Sequence, residues 1–410
     1  MKYVVLVGDG MADEPVQELG GKTPLEYAST PNIDKIARKG IIGKIKTVPT
    51  GFPPGSDVAI LSLMGYSPES YYTGRAPLEA ASMGIPLDTE DVAFRCNLVT
   101  LEVLGPDIYM RDFTAGHISS EEAKELIEGL NEYLQDEGVT FYPGVSYRHL
   151  MIWKNGKAEA SLTPPHDIVG QSIGDYLPQG PIAQKLMAWT TTAQLYLKTH
   201  PINQRRMEEG KNPANSIWLW GQGKKPALPS FEEKFGLRGG VVSAVDLVKG
   251  IGVLSGLKAP FVEGATGYLD TNYEGKVDTA LEILREDDFV FLHVEAPDEA
   301  GHSGIVEDKI KAIEDFDRRI AGPIFEALKQ SIPFRLLILP DHPTPLSKRT
   351  HTSDPVPFLA FDSEGGLFGL STQNLPFSED GARKSALKIE KGHTLMKAWL
   401  EGNLVLGETP

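Results

Sequence analysis

Three short, largely apolar runs, each followed closely by an aspartate, constrain the fold of this chain more than any other feature. The runs are Tyr3–Val7, Phe289–Leu292 and Phe334–Leu339, and the aspartates are Asp9, Asp298 and Asp341. Such runs are typical of strands buried on both faces of a parallel sheet. Open α/β sheets place ligand sites at the carboxyl ends of their strands, so we expect the three aspartates to lie at a functional edge.

Three of the nine histidines follow these aspartates closely. They are His302, four residues after Asp298; His342, beside Asp341; and His351. Taken alone, the Asp298–His302 segment, which its proline and glycine predict to be a loop, has the simpler interpretation of a polar turn. Taken together, three carboxylates and three imidazoles match a two-metal site for Mn²⁺ or Zn²⁺, with Mg²⁺ as an alternative.

Ser56 begins a predicted amphipathic helix that ends near Gly65. Locally, the simpler interpretation is that Ser56 caps this helix. The functional alternative is a nucleophile whose oxygen, together with the phosphate it receives, lies in the positive field of the helix N-terminus.

These residues suggest phosphoryl transfer. Two cations about 4 Å apart can neutralise phosphoryl oxygens, lower the pKa of a serine and stabilise a leaving oxygen. The serine would then take the phosphoryl group and pass it on.

The middle of the chain differs from the βα alternation on either side, of which the helix predicted at Val241–Leu254 is a part. A capped helix, Ser119–Leu134, precedes two predicted strands, Val139–Tyr142 and Arg148–Trp153. We therefore predict an inserted α+β domain at 93–170 within a discontinuous core formed by 1–92 and 171–410. The polar candidates in the insertion are Arg148, His149 and His166, each of which has the alternative of an ordinary surface group.

Two further stretches carry arginines suited to phosphate or carboxylate. Arg205 and Arg206 lie in a predicted loop rich in proline, asparagine and glycine. Arg75 lies between a glycine and an alanine, where it could hold a phosphate or pair with a surface acid.

Composition excludes several classes of partner. A net charge of -16 argues against nucleic acid or an anionic membrane, although a few arginines or a metal still permit a small anionic substrate. Cys96 is the single cysteine, which favours a reducing, cytoplasmic location. No apolar run is long enough to span a bilayer.

The ordered set of motifs resembles the alkaline phosphatase superfamily, and within it the archaeal-type branch of the cofactor-independent phosphoglycerate mutases. The resemblance covers nearly the whole chain. It rests on Val7-Gly-Asp-Gly10, Thr23-Pro-Leu-Glu-Tyr-Ala28, Thr30-Pro-Asn-Ile-Asp34, Gly55-Ser-Asp57, Tyr72-Thr-Gly-Arg75, His200-Pro-Ile-Asn203 with Arg205-Arg206, Glu263-Gly-Ala-Thr-Gly267, Asp298 with His302, Asp341-His342 and Asp354-Pro-Val-Pro357.

The resemblance implies an alkaline-phosphatase-like α/β core with a central, mostly parallel sheet and helices on both faces. It implies a phosphoglycerate mutase with Ser56 as the phosphoryl acceptor and two bound divalent ions. Mn²⁺ is the expected ion, and Zn²⁺, Mg²⁺ and Co²⁺ are the alternatives. No requirement for 2,3-bisphosphoglycerate is expected. One metal would bind Asp9, Ser56, Asp341 and His342, and the other Asp298, His302 and His351. The implied substrate residues are Arg205, Arg206, Arg148, His149, Asp112 and Arg75.

One segment departs from the pattern. Asp112-Phe-Thr-Ala-Gly-His117 stands where relatives carry an arginine-rich Asp-Arg-Arg-Ala-Gly-Arg. The metal chemistry is unaffected, but another phosphomonoester or alcohol, as in a phosphatase or a homoserine-kinase-like enzyme, is an open alternative. A non-catalytic scaffold protein that retains the fold is a third hypothesis. The oligomeric state is left open.

Overall fold

Two compact units make up the computed structural model, which describes residues 1–404 except 135, 137, 331, 367, 371 and 372. The first unit combines residues 1–72 with the chain from Ala227 onward, and the second is Thr73–Pro226. The second unit contains all of the predicted 93–170 and extends beyond it on both sides.

The strands of the described residues alternate with helices through most of the chain. The strands are β1 (Lys2–Gly8), β2 (Ile41–Ile45), β3 (Val92–Leu104), β4 (Asp107–Asp112), β5 (Val139–Tyr142), β6 (Arg148–Trp153), β7 (Ser216–Lys224), β8 (Gly239–Val242), β9 (Phe289–Val294), β10 (Phe334–Leu339), β11 (Val356–Asp362) and β12 (Lys388–Ile389).

The helices vary from one turn to five. They are α1 (Pro24–Tyr27), α2 (Pro31–Ala37), α3 (Ser56–Leu63), α4 (Pro68–Tyr71), α5 (Ala76–Ser82), α6 (Ser120–Leu134), α7 (Ala183–Thr199), α8 (Pro201–Glu208), α9 (Phe231–Phe235), α10 (Asp246–Leu254), α11 (Tyr273–Glu286), α12 (Ala296–Ser303), α13 (Val306–Phe316), α14 (Gly322–Lys329), α15 (Glu379–Lys384) and α16 (Leu395–Glu401). No helix among the described residues is both long and apolar enough to cross a membrane.

A seven-stranded sheet forms the centre of the first unit, in the order β12-β2-β11-β10-β1-β9-β8. The strands β10, β1, β9 and β8 run parallel, and only β11 pairs antiparallel with its neighbours. The predicted α/β fold with a mostly parallel sheet is therefore confirmed. Since β10, β1 and β9 are adjacent and parallel, the residues that follow them meet at one edge of the sheet.

Burial explains why these strands read as apolar runs. Val4 to Val7 of β1 are all fully buried, so side chains that alternate between the two faces of the sheet are covered on both. Each such Val, Leu or Ile side chain contributes roughly 1.5–3 kcal/mol relative to exposure. The central strands thus form a rigid base for the loops and helices at their carboxyl ends.

The second unit is an antiparallel sheet in the order β4-β3-β6-β5, with β7 also paired to β3. The β7 strand joins it because it pairs along Val92–Val99 of β3. Helices α6 and α7 cover the same apolar core as these strands, through residues such as Leu126 and Leu186. Long-range pairing by a strand 120 residues further along explains why this unit is larger than the predicted insertion.

Three predictions of local structure are wrong. The predicted loop around Asp298 is helix α12, and the predicted loop around Arg205 contains helix α8; both helices carry a proline in the first turn, where it is well tolerated. The predicted helix 241–254 is split, because Val241 and Val242 belong to β8, paired with β9, and helix α10 begins only at Asp246.

Candidate metal centre

The carboxyl ends of β10, β1 and β9 bring the predicted acids together. Asp9 follows β1, Asp341 follows β10, and Asp298 lies in the first turn of α12, just after β9. All three are buried. The structure therefore assembles, from distant parts of the chain, the carboxylates that the sequence places at three strand ends.

Helix α12 places Asp298 and His302 on one face, because residues four apart lie one turn above each other. The His302 Nε2 atom is 3.2 Å from Asp298 Oδ2 and 3.0 Å from His351 Nε2, and His351 Nε2 is 3.4 Å from Asp298 Oδ1. The predicted group of Asp298, His302 and His351 thus lies together in space. On its other side, His302 Nδ1 is 3.0 Å from the Arg349 carbonyl oxygen.

His342 lies between the two predicted groups. Its Nε2 atom is 3.5 Å from Asp9 Oδ1 and 3.4 Å from Asp341 Oδ2. Its ligand atom also lies within 4.8 Å of those of Asp298 and His351. The same spacing holds within two further groups, Asp9 with His293 and Asp341, and Asp9 with Glu295 and Asp298.

Ser56 faces this cluster. Gly55 occupies the N-cap position of α3 and Ser56 is its first residue, so the simpler interpretation of Ser56 as the cap is wrong. The Ser56 Oγ atom lies 3.1 Å from His342 Nε2 and 3.3 Å from Asp9 Oδ2. A hydroxyl at a helix N-terminus, within hydrogen-bond reach of an imidazole and a carboxylate, is well placed to act as a nucleophile.

The charges of the cluster compete in the metal-free protein. Burial, reinforced by the charges of Asp341 and Asp298, raises the pKa of Asp9 well above its usual range. Burial opposes ionisation of Asp298 too, but hydrogen bonds from His302 and His351 hold its pKa well below the ordinary value. Burial also opposes the charge on His302, yet its hydrogen bond to Asp298 raises the His302 pKa to about 9. Protons thus offset part of the acidic charge.

The donor set fits divalent cations. Asp9 Oδ1 and Asp341 Oδ2 are buried side-chain oxygens with no hydrogen-bond partner among the described residues. Leaving such atoms unpaired costs on the order of 1–3 kcal/mol each, which coordination to a cation would remove. Carboxylate oxygens with imidazole nitrogens are the ligands of Mn²⁺ and Zn²⁺ sites.

Neighbouring groups hold the ligands in place. Asp341 Oδ1 accepts hydrogen bonds from the backbone N–H groups of Gly10, at 3.1 Å, and His342, at 2.8 Å. The Thr344 hydroxyl donates to Asp298 Oδ1. Gly10 has a φ of +60°, and a Cβ there would lie 2.7 Å from the Cα of Asp298, so only glycine fits where the two strand ends approach.

A buried ion pair ties together the loops that follow β1 and β10. The Lys309 Nζ atom of α13 donates to Asp13 Oδ2 at 2.6 Å, to the Thr344 carbonyl at 2.7 Å and to the Ala12 carbonyl at 3.3 Å. Neither side chain of the pair is appreciably exposed. The pair therefore holds the backbone at Ala12 and Thr344, close to Asp9 and Asp341.

In the second unit, the predicted arginine pair has two different environments. Arg206 is buried and donates to Glu122 Oε2, the Ala115 carbonyl and the Asn212 carbonyl at 2.6, 2.6 and 3.0 Å. Arg205 is exposed and makes a longer contact of 3.3 Å with Glu122. Arg206 is thus committed to the folded unit, and Arg205 presents its guanidinium to solvent.

Arg148 and His149 also differ. Arg148 is exposed at the start of β6, with its guanidinium 5.7 Å from the centre of the Tyr147 ring. His149 is buried, accepts a hydrogen bond from Gly144 N at 3.0 Å, and has its pKa lowered to about 3 by burial. Its Nε2 atom has no hydrogen-bond partner among the described residues.

Arg75 belongs to a small basic cluster. The charges of Arg75 and Arg148 both act on buried Arg95 and, after burial itself, lower its pKa. Arg95 is held by Glu79 at 3.0 Å and lies 4.1 Å from the Trp220 ring centre. Three guanidinium groups near one carboxylate make this a basic region of the second unit.

Asp112 organises the segment that departs from the family pattern. Its carboxylate accepts hydrogen bonds from Thr114 N, Gly116 N and Asn212 Nδ2 at 2.8, 2.7 and 2.9 Å. His166 packs edge-on against Trp220, with ring centres 5.3 Å apart. Both side chains have structural contacts that account for their positions.

Comparison with known proteins identifies the family. A model described as 2,3-bisphosphoglycerate-independent phosphoglycerate mutase matches residues 37–203. A protein of Geobacter sulfurreducens named as a probable enzyme of this kind is 56% identical over 98% of this chain and 100% of its own length. One from Methanosarcina barkeri with the same enzyme name is 54% identical over 97% of this chain and 98% of its own. The chain belongs to the 2,3-bisphosphoglycerate-independent phosphoglycerate mutase family.

Solved structures agree with this assignment. The PH0037 protein of Pyrococcus horikoshii is 32% identical, with a TM-score of 0.81, over 100% of this chain and 98% of its own. The cofactor-independent phosphoglycerate mutase of Thermoplasma acidophilum is 26% identical, with a TM-score of 0.65, over 98% and 99%. The similarity to this mutase structure therefore extends over 98% of the chain.

Sequence reasoning missed several residues of this mutase-family site. His293 is buried with Nε2 2.9 Å from Asp9 Oδ2, and Glu295 and Thr344 also adjoin the ligands. His293 was overlooked because it lies inside the apolar strand. A polar residue near the end of a buried strand, in register with the strand before Asp9, was the signal that could have found it.

Proposed function

We propose that this protein interconverts 3-phosphoglycerate and 2-phosphoglycerate through a phosphorylated Ser56, with two divalent cations bound. The observation that carries the proposal is the position of the Ser56 hydroxyl, which lies beside both His342 and Asp9 at the start of α3. Membership of the mutase family supplies the reaction and its small phosphorylated metabolite.

The ligand groups are taken from the resemblance to the family, and the short distances among their side chains support them. One cation would be held by Asp9, Ser56, Asp341 and His342, and the other by Asp298, His302 and His351. Mn²⁺ suits this mixture of oxygen and nitrogen donors, with Zn²⁺, Mg²⁺ and Co²⁺ as alternatives. When bound, the cations neutralise the phosphoryl oxygens and favour the ionised serine.

The side chains of the protein direct the transfer. Before a cation binds, either Asp9 Oδ2 or His342 Nε2 can accept the hydrogen bond of the Ser56 hydroxyl, which keeps Oγ beside the proposed ligands. The Ser56 oxygen bonds to phosphorus as the bond from phosphorus to the glycerate oxygen breaks, and the departing oxygen takes up a proton equivalent to the one that the Ser56 hydroxyl gives up. The alcohol on the neighbouring carbon of glycerate then attacks phosphorylated Ser56 and takes the group back. The positive end of α3 favours the phosphate in the intermediate.

Substrate recognition is proposed for the second unit. We assign binding of the anionic substrate to the exposed guanidinium groups of Arg148 and Arg205, supported by the basic cluster that contains Arg75. His149, Arg206 and Asp112 act in this proposal by shaping the segments that carry those groups. A cytoplasmic location, expected from the single cysteine, belongs to the same proposal.

The test is conversion of 3-phosphoglycerate by the purified protein supplied with Mn²⁺ and no 2,3-bisphosphoglycerate, followed by ³¹P NMR. We expect both isomers to reach equilibrium and Ser56 to become phosphorylated. The proposed substrate would be wrong if no phosphoglycerate concentration gave conversion while a parallel screen showed turnover of another phosphomonoester. The proposed metal chemistry would then still stand.

A further inference from the structure

A buried histidine that the proposed reaction does not use lies behind Asp9. His293 is on β9, in register with Val7 of β1, and is completely buried. Its Nε2 atom is 2.9 Å from Asp9 Oδ2, and its Nδ1 atom is 3.2 Å from Ser243 Oγ. Ser243 directly follows β8, the neighbouring strand, so both contacts are set by the sheet.

The partners of both ring nitrogens favour one position for the proton of His293. The Ser243 oxygen accepts the N–H of Val245 at 3.0 Å, and its own hydrogen can be donated to Nδ1. Because Nε2 faces the Asp9 carboxylate, the favoured neutral imidazole accepts from Ser243 at Nδ1 and carries its proton on Nε2. The opposite tautomer would point the Nε2 lone pair at a carboxylate oxygen, which is repulsive unless a cation lies between them.

The Nε2–H group then donates a hydrogen bond to one of the two Asp9 carboxylate oxygens. Asp9 Oδ2 receives His293 and lies 3.3 Å from Ser56 Oγ, whereas Oδ1 is the oxygen without a partner among the described residues. Holding Oδ2 fixes the rotation of the carboxylate, so Oδ1 is aimed into the cluster of ligands. Hydrogen bonds from outside the ligand set commonly orient metal-binding carboxylates in this way.

We propose that His293, with its tautomer set by Ser243, is a positioning residue that orients Asp9 for metal binding and is not itself a metal ligand. The inference rests on the proposed role of Asp9 as a ligand. It adds a chain from Ser243 through His293 to Asp9 that connects β8, β9 and β1.

The first experiment reads the tautomer directly. Full-length protein labelled with ¹⁵N-histidine is loaded with Zn²⁺, and long-range ¹H–¹⁵N spectra are recorded, with His293→Gln used to assign the signal. We expect the pattern of an imidazole protonated on Nε2 and free of metal. A signal showing Nε2 without a proton and bonded to the metal would overturn the proposal and make His293 a ligand.

The second experiment measures Mn²⁺ affinity by calorimetry in three variants. Removing the donor in His293→Leu should weaken binding about 10–100-fold, the usual effect of losing such a partner. His293→Gln can place an amide N–H near the Nε2 position and should recover most of that loss. Ser243→Ala should fall between wild type and His293→Leu, because both tautomers then become accessible.

Controls separate this inference from folding and from the proposed function. His393→Gln, a half-buried histidine in the same unit, should leave the affinity unchanged. If His293→Leu does not fold, the tautomer seen in the spectra of wild type and the Mn²⁺ affinities of His293→Gln and Ser243→Ala relative to wild type still test the inference. An affinity equal to wild type in folded His293→Leu overturns the inference. Metal affinity is measured without substrate, so a failure to convert phosphoglycerate leaves this result standing.

Discussion

The metal centre of the first unit and the basic residues of the second unit are built on opposite principles. Three adjacent parallel strands bring Asp9, Asp298 and Asp341 to one edge, where buried oxygens lack partners among the described residues. In the second unit, by contrast, Arg206 and Arg95 are occupied by Glu122 and Glu79. Polar side chains that converge with hydrogen-bond acceptors left unpaired indicate a ligand site. Charged side chains that are already paired indicate a structural role.

The contrast also separates chemistry from specificity. The proposed ligands of the first unit would support phosphoryl transfer whichever alcohol is the substrate. Substrate recognition depends on which cations of the second unit reach solvent, and Arg148 and Arg205 do so. Each of the following variants tests one side of this contrast.

Replacing the nucleophile should have the largest effect. Ser56→Ala removes the atom that carries the phosphoryl group, so we expect mutase activity to fall roughly 10⁴-fold or more. The matched control is Ser62→Ala, a buried serine in the same helix, which should retain activity. Activity is followed by ³¹P NMR, and near-normal turnover by folded Ser56→Ala would remove the phosphoserine from the account.

The arginine pair should separate stability from binding. Arg206→Ala removes the closer partner of part-buried Glu122 and leaves the Ala115 and Asn212 carbonyls without their donor, and should cost about 1–3 kcal/mol of folding free energy. Arg205→Ala removes an exposed contact and should cost less than about 1 kcal/mol. Urea unfolding followed by tryptophan fluorescence suits this test, since Trp153, Trp189, Trp218 and Trp220 lie in the second unit. Equal losses would contradict the difference in environment.

Metal affinity should increase with pH. The His302 pKa of about 9 means that a proton occupies this imidazole at neutral pH and must leave before a cation binds. The Mn²⁺ dissociation constant should therefore fall roughly 50-fold between pH 7 and pH 9. The dependence should be shallower in His302→Gln.

The same shift predicts the stability of the metal-free protein. A folded pKa above the ordinary 6.5 means that protonated His302 stabilises the fold fully below pH 6.5, and that this contribution is lost as pH rises through about 9. Thermal unfolding of wild type and His302→Gln across this range provides the check. Parallel curves would show that the histidine does not carry the charge.

The smallest effect is expected at the surface of the second unit. Arg148→Ala should raise KM for phosphoglycerate about 10-fold with little change in kcat, because an exposed guanidinium contributes to binding and not to the transfer itself. Arg111→Ala, at an exposed arginine of β4 in the same sheet, is the control. A large loss of kcat in Arg148→Ala would place this residue in the chemistry.

Sequence patterns predicted the strands better than the residues around them. The runs that became β1, β9 and β10 are continuous and apolar because both faces of the sheet are covered. Helix α12 was not predicted because its segment contains Pro297 and Gly301, and proline and glycine are also common in loops. His293 was hidden because its partner, Ser243, is 50 residues away in sequence. Pairing across the sheet, which a single sequence does not display, decides such contacts.

The arginine pair shows a second limit. Adjacent residues on a helix point about 100° apart, so a helix at Arg205 and Arg206 buries one and exposes the other. A loop, which the composition of the segment predicted, would have allowed both to reach a substrate. The error in local structure therefore bears on the role proposed for the pair, since Arg205 faces solvent and Arg206 is held inside the unit.

Anomalous diffraction from crystals soaked in Mn²⁺ tests the central claim most directly, since it locates the ions without reference to activity. The account predicts two peaks, one among Asp9, Ser56, Asp341 and His342, and one among Asp298, His302 and His351. Crystals that show no anomalous peak in either group at saturating Mn²⁺ would contradict it.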